Sequence, residues 1–229
     1  MRLNLKNMIE ILQFLVDLSL NNQKTWFEEN KSRYESSKKT LEQFISKLIF
    51  QISIFDDSIA SVKPKSAIFR IYRDTRFSKD KTPYKKNMGA YITNGGKMLG
   101  LAGYYLHIEP GASFVAGGLY QPEANVLKQI RAKIAEDDTF LRAFMNENEI
   151  KKHFHWVDDQ VKTAPKGYPK DHPAIDLIKF KSFAISKNYS DEQVSDEDFF
   201  LSKITEDFQH ISKLNHYLNE IVHETKTLV

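Results

Sequence analysis

The chain has 229 residues, a formal net charge of +3 and no cysteine. The absence of cysteine excludes disulfides, thiolate catalysis and cysteine-based zinc sites. With 41% hydrophobic and 12% aromatic residues, the chain can bury a substantial core without disulfides or metals, and we predict a single domain over residues 1–229.

The hydropathy of the chain predicts a cytoplasmic protein with no membrane association. The first 18 residues include Glu10 and Asp17 and lack a small-residue cleavage site, so they indicate an amphipathic helix rather than a signal peptide. No apolar run approaches the roughly 18 residues that a membrane-spanning helix needs.

Apolar residues at helical spacing predict two helices within residues 1–57. The first extends from about Leu5 to Ser19. The second begins at a capping box formed by Thr25 and Glu28, in which the two side chains accept hydrogen bonds from backbone amides at the helix start. We predict that it ends near Phe55.

Residues 65–120 show the alternating pattern of strands. Apolar and polar residues alternate from Ala67 to Phe77, and further strands are predicted at 101–109 and 112–120. Gly95 and Gly96 predict a hairpin turn, because glycine accepts the positive φ that such turns require. This region therefore predicts an antiparallel meander of about four strands.

Residues 122–229 form a helical and mixed region. The spacing predicts helices over 123–135 and 139–148, a short helix beginning at Pro173, a strand over 179–189 and a final helix over 196–226. The order of helices, then strands, then helices predicts an α+β fold, with an antiparallel sheet of about four to six strands flanked by N-terminal and C-terminal helices.

Positive charge is concentrated between Lys63 and Lys86, where nine basic and two acidic residues give a local charge of +7 in a chain of +3. Such a segment predicts an anionic ligand. Arginine suits phosphate or carboxylate, because its planar fork donates two parallel hydrogen bonds. The predicted ligand-binding residues are Arg70, Arg73, Asp74, Arg76, Lys79, Lys81, Tyr84 and Lys85. The alternative is a structural network, in which Asp74 and Asp80 pair with neighbouring arginines and the lysines are solvated.

A second polar cluster lies on the predicted strand over 101–109. In a strand Tyr105, His107 and Glu109 share one face. His107 oriented by Glu109 is a candidate acid or base, with Tyr105 donating a hydrogen bond, so these three are the predicted catalytic residues. The alternatives are two ligands of one metal, or a plain His–Glu hydrogen bond on a half-solvated sheet.

A rigid loop over 163–173, with three prolines and one glycine, supplies the third polar segment. Lys166, Tyr168 and His172 are its predicted ligand-binding residues, and Asp171 is an alternative helix cap. We hypothesise that the three polar segments converge on one cleft beside the sheet. The chain lacks P-loop, GxGxxG, GxSxG and HExxH motifs, and neither a cofactor nor a metal site is predicted.

The run RIYRDTRFSKDKTPYK at Arg70–Lys85 resembles the signature of a bacterial and fungal family catalogued as domain of unknown function 2461. The resemblance covers nearly the whole chain. It implies neither a mechanism nor catalytic residues. Further similar positions are Asn21, Asn22, Trp26, Phe27, Tyr104, Tyr105, His107, Glu109, Arg131, Lys166, Tyr168, His172 and Pro173.

The leading functional hypothesis is a pocket that binds an anionic, for example phosphorylated, small molecule and supports hydrolase or transferase chemistry. A nucleic-acid-binding module is the first alternative, with Tyr72, Phe77 and Tyr84 stacking on bases. The second alternative is an interaction protein that docks an acidic partner through the basic segment. Oligomeric state and catalysis itself are left open by the sequence.

Overall fold

The computed structural model of the chain describes residues 8–96 and 99–227. The start predicted for the first helix, near Leu5, lies outside the described residues. Within these ranges the helices are α1 (Met8–Leu20), α2 (Lys24–Glu29), α3 (Lys31–Ser53), α4 (Pro64–Ala67), α5 (Ala124–Glu136), α6 (Thr139–Asn146), α7 (Asn148–His153), α8 (Ile175–Ile178), α9 (Asp191–Ser195) and α10 (Glu197–Thr227). The strands are β1 (Met88–Ile92), β2 (Gly103–Ile108), β3 (Ser113–Leu119), β4 (His155–Trp156) and β5 (Phe183–Tyr189).

The five strands form one open antiparallel sheet in the order β1-β2-β3-β5-β4. Helices precede and follow the sheet in the chain. The prediction of an α+β fold with four to six strands is therefore confirmed. Among the described residues, none of the helices has both the length and the apolar character needed to cross a membrane.

The described chain divides into two compact units. Unit 1 comprises residues 8–96, 105–115 and 188–207, and unit 2 comprises 99–104, 116–187 and 208–227. Strands β2, β3 and β5 and helix α10 contribute residues to both units. A single domain over the whole chain stays a prediction.

The core of unit 1 contains aromatic side chains from its helices and from the end of β5. Helix α1 packs against α3 and α9. The ring of Phe44 stacks on Phe200 with centroids 5.7 Å apart, and Tyr189 meets Phe200 edge-on at 5.1 Å. The hydroxyl of Tyr189 donates a 2.5 Å hydrogen bond to Asp207 within this core. Burial, followed by this carboxylate, raises the pKa of Tyr189, so the phenol stays protonated and donates.

In unit 2, Gly118 fixes the backbone where β3 lies against β5. Its φ is +104°, and its N–H donates a 2.8 Å hydrogen bond to Oδ1 of the buried Asn215. A Cβ atom at this position would lie 2.1 Å from the carbonyl oxygen of Phe183. Only glycine fits, because any side chain meets both an unfavourable φ and a fixed backbone atom.

The helix predicted from Thr25 is interrupted, and its capping box is wrong. Helix α2 ends at Glu29 and α3 begins at Lys31. Thr25 lies inside α2, whose preceding residue Gln23 accepts no side-chain capping bond. Among the described residues, a capping box is formed at Ser190, before α9, a helix that was not predicted from the sequence.

Three further boundaries differ from the prediction. The helix predicted over 139–148 ends at Asn146, where α6 gives way to α7. The short helix predicted from Pro173 begins at Ile175, and Asp171 does not cap it. Gly95 and Gly96 do have positive φ, of 69° and 89°, but their turn lies inside a longer connection between β1 and β2 rather than in a two-residue hairpin.

Candidate functional site

The basic segment forms a loop, which we define as the basic loop, residues 69–87. The strand predicted from Ala67 to Phe77 is wrong, because after α4 the chain forms only isolated bridges, at Ile68–Ala90 and at Tyr72–Tyr84. Two backbone hydrogen bonds flank the second bridge. The N–H of Arg73 donates to the carbonyl of Pro83 at 2.9 Å, and the N–H of Lys85 donates to the carbonyl of Ile71 at 2.8 Å. The intervening residues 74–82 therefore project as a loop closed by a short antiparallel pairing.

Arg73 holds the centre of the basic loop. Its Nη1 donates to Oδ2 of Asp80 at 2.6 Å and to the carbonyl of Thr82 at 3.1 Å, and it also contacts the Thr82 hydroxyl. The backbone N–H of Thr82, then Arg73, hold the pKa of Asp80 down at about 2. Asp80 is therefore charged at neutral pH. Because its pKa is lowered from the ordinary value of 3.8, the Arg73–Asp80 ion pair is lost only as the pH falls from 3.8 towards 2.

Arg76 makes a second internal pair at the exposed end of the loop. Its Nε and Nη2 donate to the two carboxylate oxygens of Asp74 at 2.9 and 2.6 Å, although 77% of the Arg76 side chain is exposed. These bonds lower the pKa of Asp74. The guanidinium also lies 5.8 Å from the ring centroid of Phe77, which is 95% exposed.

The two ion pairs agree with the structural network that the sequence left open as an alternative, and ligand binding by the loop stays a prediction. Arg73 and Arg76 pair with aspartates within the loop, as that network requires. Lys81 departs from it, because its Nζ donates to the carbonyl of Thr75 at 2.9 Å instead of being only solvated. A second set of cations is exposed and forms no hydrogen bond or ion pair with the described residues. This set consists of Arg70, Lys79 and Lys86.

Tyr84 anchors the loop to the N-terminal helices. It is 3% exposed, and its ring stacks on Phe27 at 4.0 Å with an interplanar angle of 15°. The side chain of Asn22 donates to the Tyr84 carbonyl at 2.9 Å and accepts from the Tyr84 N–H at 3.1 Å. A ligand contact of Tyr84 stays a prediction, whereas its packing gives it an anchoring role. The sequence analysis missed Asn22 and Phe27 as anchors.

We expect Asn22→Ala to lower the free energy of unfolding by about 1–3 kcal/mol, because it leaves two backbone groups of Tyr84 without their partner. Amide hydrogen exchange at Tyr84 should become faster at the same time. Asn21→Ala is the matched control, since the Asn21 amide donates only to an exposed carbonyl of α1. Equal losses of stability in the two variants would contradict the anchoring role.

The structure brings Tyr105, His107 and Glu109 together along β2. The Tyr105 hydroxyl lies 2.9 Å from His107 Nδ1, and His107 Nε2 lies 2.8 Å from Oε2 of Glu109. The alternate residues of the strand, Tyr104 and Leu106 among them, are fully buried. We call Tyr105, His107 and Glu109 the β2 triad.

Asn87, at the end of the basic loop, fixes the tautomer of His107. Its amide Nδ2 lies 3.4 Å from His107 Nδ1 and can only donate. Burial, then Glu109, raises the pKa of Tyr105 to about 12, so its phenol also donates. Nδ1 is therefore the acceptor, and Nε2 carries the hydrogen that it donates to Glu109. The only sequence signal for Asn87 was its position between the lysines and β1.

Aromatic rings connect the β2 triad to the basic loop. The imidazole of His107 stacks on Phe114 of β3, with centroids 4.5 Å apart. Phe69 meets the ring of Tyr105 edge-on at 6.2 Å, and Lys85 Nζ lies 5.5 Å from the Phe69 centroid. The triad is half-buried as a result, with His107 14% and Glu109 34% exposed.

A tight turn between β2 and β3 positions Glu109. The Ala112 N–H donates to the Glu109 carbonyl at 2.9 Å, and Gly111 has a φ of 73°. The Glu109 N–H donates to the hydroxyl of the buried Ser113 at 3.1 Å. Asp191 accepts the Gly111 N–H at 2.9 Å, so a second element also holds the turn. The backbone that carries Glu109 is therefore preorganised.

The third predicted segment lies in unit 2. Lys166 is exposed, and Gly167 has a φ of +95° in a turn closed from Tyr168 N to Pro165 O at 3.2 Å. His172 Nδ1 accepts from the N–H of Ala174, the residue before α8, at 3.1 Å, and α8 has no side-chain cap. Ligand binding by Lys166, Tyr168 and His172, and one cleft shared by all three segments, stay predictions.

Arg131 of α5 holds the chain beyond this loop. Its Nε donates to the carbonyl of Ile178 at 2.8 Å and its Nη2 to that of Phe180 at 3.0 Å. Burial lowers the pKa of this guanidinium. No group of three or more metal-binding side chains occurs among residues 8–96 and 99–227.

The fold and the site define an α+β protein whose antiparallel sheet carries a half-buried Tyr–His–Glu triad beside a basic loop. Residues 10–217 match the family described as "Conserved hypothetical protein (DUF2461)", and the chain belongs to this family. The family resemblance of the sequence is thereby confirmed. Neither a curated protein nor a solved structure matches the chain.

Proposed function

We propose that unit 1 binds an anionic small molecule, such as a phosphorylated metabolite, beside β2, and that the β2 triad transfers a proton in the conversion of that molecule. The observation that carries this proposal is the hydrogen-bonded chain from Tyr105 through His107 to Glu109, which the basic loop contacts through Phe69.

The charge of the basic loop supports binding of an anion. Residues 69–87 contain seven basic and two acidic side chains. The internal pairs of Arg73 and Arg76 order the loop before any ligand arrives, which lowers the entropic cost of binding. The exposed set of Arg70, Lys79 and Lys86 is available to contact the ligand, because these side chains do not contribute to the pairs.

The β2 triad supports acid–base chemistry. A histidine held by a carboxylate on one side and a hydroxyl on the other is suited to accept and return a proton. His107 is 14% exposed, so its hydrogen bonds are less screened than they would be in water. The same half-buried position allows a ligand on the solvent side to contact the β2 triad.

Thermal denaturation of the full chain with pyrophosphate, glucose 6-phosphate, AMP and citrate tests this function. A ligand at 100 times its Kd adds about 2.7 kcal/mol to the free energy of unfolding. We expect at least one of these anions to raise the Tm. The triple variant Arg70→Ala, Lys79→Ala, Lys86→Ala should weaken its binding about tenfold or more.

The matched control is the triple variant Lys24→Ala, Lys39→Ala, Lys128→Ala, which removes the same charge from exposed lysines outside the basic loop. It should bind as the parent chain does. Equal weakening in both variants, or no Tm increase with any anion, would contradict the proposal. An increase with a single-stranded oligonucleotide alone would instead favour the nucleic-acid alternative, to which the fully presented ring of Phe77 is suited.

A further inference from the structure

We propose that Tyr105 is the nucleophile of this site, that His107 is the base that removes its proton, and that Glu109 and Asn87 are positioning residues. The inference deepens the proposed function and rests on it in one respect, since the electrophile would belong to the anionic ligand. It changes the roles predicted from the sequence, in which His107 was the acid or base and Tyr105 only donated a hydrogen bond.

Both ring nitrogens of His107 are already engaged. Nδ1 is 2.9 Å from the Tyr105 hydroxyl and Nε2 is 2.8 Å from Glu109. Neither nitrogen is left to contact a ligand directly. The hydroxyl of Tyr105 is the terminal group of the hydrogen-bonded series that runs through His107 to Glu109. The order of hydroxyl, imidazole and carboxylate is that of an activated nucleophile, its base and the group that orients the base.

The buried Gly89 of β1 packs against the side chain of Tyr105 and so positions its phenol. A Cβ atom at this position would lie 3.1 Å from the hydroxyl oxygen and 3.4 Å from the ring. It would also lie 2.9 Å from the carbonyl oxygen of Leu106, so only glycine lets β1 pack this closely against Tyr105. Asn87 lies two residues earlier, at the end of the basic loop, and its amide contacts His107 Nδ1.

The phenol needs a base, because burial holds its pKa at about 12 and it stays protonated at neutral pH. In the step that we infer, the phenol oxygen bonds to the electrophilic phosphorus while the bond from phosphorus to the leaving group breaks. The proton passes to His107 Nδ1, and Glu109 stabilises the imidazolium. Water or a second acceptor then takes the group from the tyrosyl adduct, and His107 returns the proton to the phenolate.

Methanesulfonyl fluoride tests the nucleophile without any anionic ligand. The phenol oxygen bonds to sulfur, the S–F bond breaks, fluoride leaves and the proton goes to His107. Mass spectrometry of the full chain after digestion gives the rate at each tyrosine. We expect Tyr105 to react about tenfold faster or more than Tyr120, which is 66% exposed and whose hydroxyl accepts only from the Gln121 amide.

Two variants assign the roles. His107→Gln should slow the reaction at Tyr105 about tenfold or more and leave Tyr120 unchanged, because glutamine fills similar space without a basic nitrogen. If that variant does not fold, Glu109→Gln provides the test, since it keeps the hydrogen bond and removes the charge that stabilises the imidazolium. Tm and circular dichroism report on folding in each case.

The pH profile distinguishes base catalysis from a structural role of His107. Tyr105 is faced by His107 and Glu109 from its own strand, and Lys85 lies beyond Phe69. With His107 as base, the rate at Tyr105 should reach a plateau before the phenol ionises at a pKa of about 12.

Three outcomes would overturn the inference. They are a rate at Tyr105 no greater than at Tyr120, a rate unchanged by the variant at His107, and a rate that keeps rising tenfold per pH unit. Because the assay contains no anion, these outcomes leave the anion-binding proposal intact. Conversely, the absence of a Tm increase with the four anions does not affect the methanesulfonyl fluoride reaction. The failure of either proposal can therefore be recognised separately.

Discussion

Gly118→Ala is expected to lower the free energy of unfolding by about 3–5 kcal/mol, because the added methyl group brings both backbone strain and a steric clash. The φ of +104° is unfavourable for alanine. The Cβ atom would lie 2.1 Å from the Phe183 carbonyl oxygen and 2.8 Å from the Cα of Ala184. Both are backbone atoms of β5, so no rotamer change relieves the clash. Urea denaturation measures the loss.

Gly167→Ala is the matched control for this prediction. Gly167 also lies in unit 2 and has a φ of +95°, but no atom lies within 4 Å of a Cβ built on it. Its variant should lose only the strain contribution, about 1–2 kcal/mol. If the two alanine variants were equally stable, the close approach of β3 and β5 at Gly118 would not determine stability.

Phe27→Ala is expected to lower the free energy of unfolding by about 3–5 kcal/mol, because it removes a fully buried ring and leaves a cavity. The ring stacks on Tyr84 at 4.0 Å and lies 5.2 Å from the ring of Tyr34. The change therefore also removes the support of the basic loop. Hydrogen exchange in residues 69–87 should accelerate more than exchange in α3, and urea denaturation gives the energy.

Phe50→Ala provides the control of the same chemistry. Phe50 is 65% exposed on α3, and its replacement should change stability by no more than about 0.5 kcal/mol. Protection of the basic loop should stay at the level of the parent chain. Loss of loop protection in this control, or its retention in Phe27→Ala, would show that Phe27 does not hold the loop.

The long helices and the antiparallel sheet could be predicted because their apolar periodicity continues over many residues, as in α3 and α10. The basic loop was mistaken for a strand because its residues alternate in the same way. Hydrogen bonds from backbone N–H groups to aspartate side chains replace the strand pairing that was predicted. Asp74 accepts the Arg76 N–H at 3.2 Å, and Asp80 accepts the Thr82 N–H at 2.9 Å. Aspartate favours such turns over ladder pairing, and alternation alone does not reveal them.

The β2 triad could be predicted as a cluster because residues two apart in a strand share a face. The side chains that contact the triad from other elements could not be predicted. Asn87 and Phe114 reach His107 from the basic loop and from β3, and Asn22 reaches Tyr84 across 62 positions of the chain. Such pairs depend on which strands and helices become neighbours. A single sequence does not specify that choice at the level of individual side chains.

Asp74 and Asp80 act as resident counterions of the basic loop. An anion that takes the guanidinium of Arg76 must replace the bidentate carboxylate of Asp74, whereas one that contacts Arg70 or Lys79 replaces no hydrogen bond between described residues. The exchange at Arg76 favours a doubly charged group over a singly charged one, since the incoming group competes with an existing carboxylate. Under the function that we propose, Asp74 therefore competes with the incoming anion and makes binding at Arg76 depend on the charge of that anion.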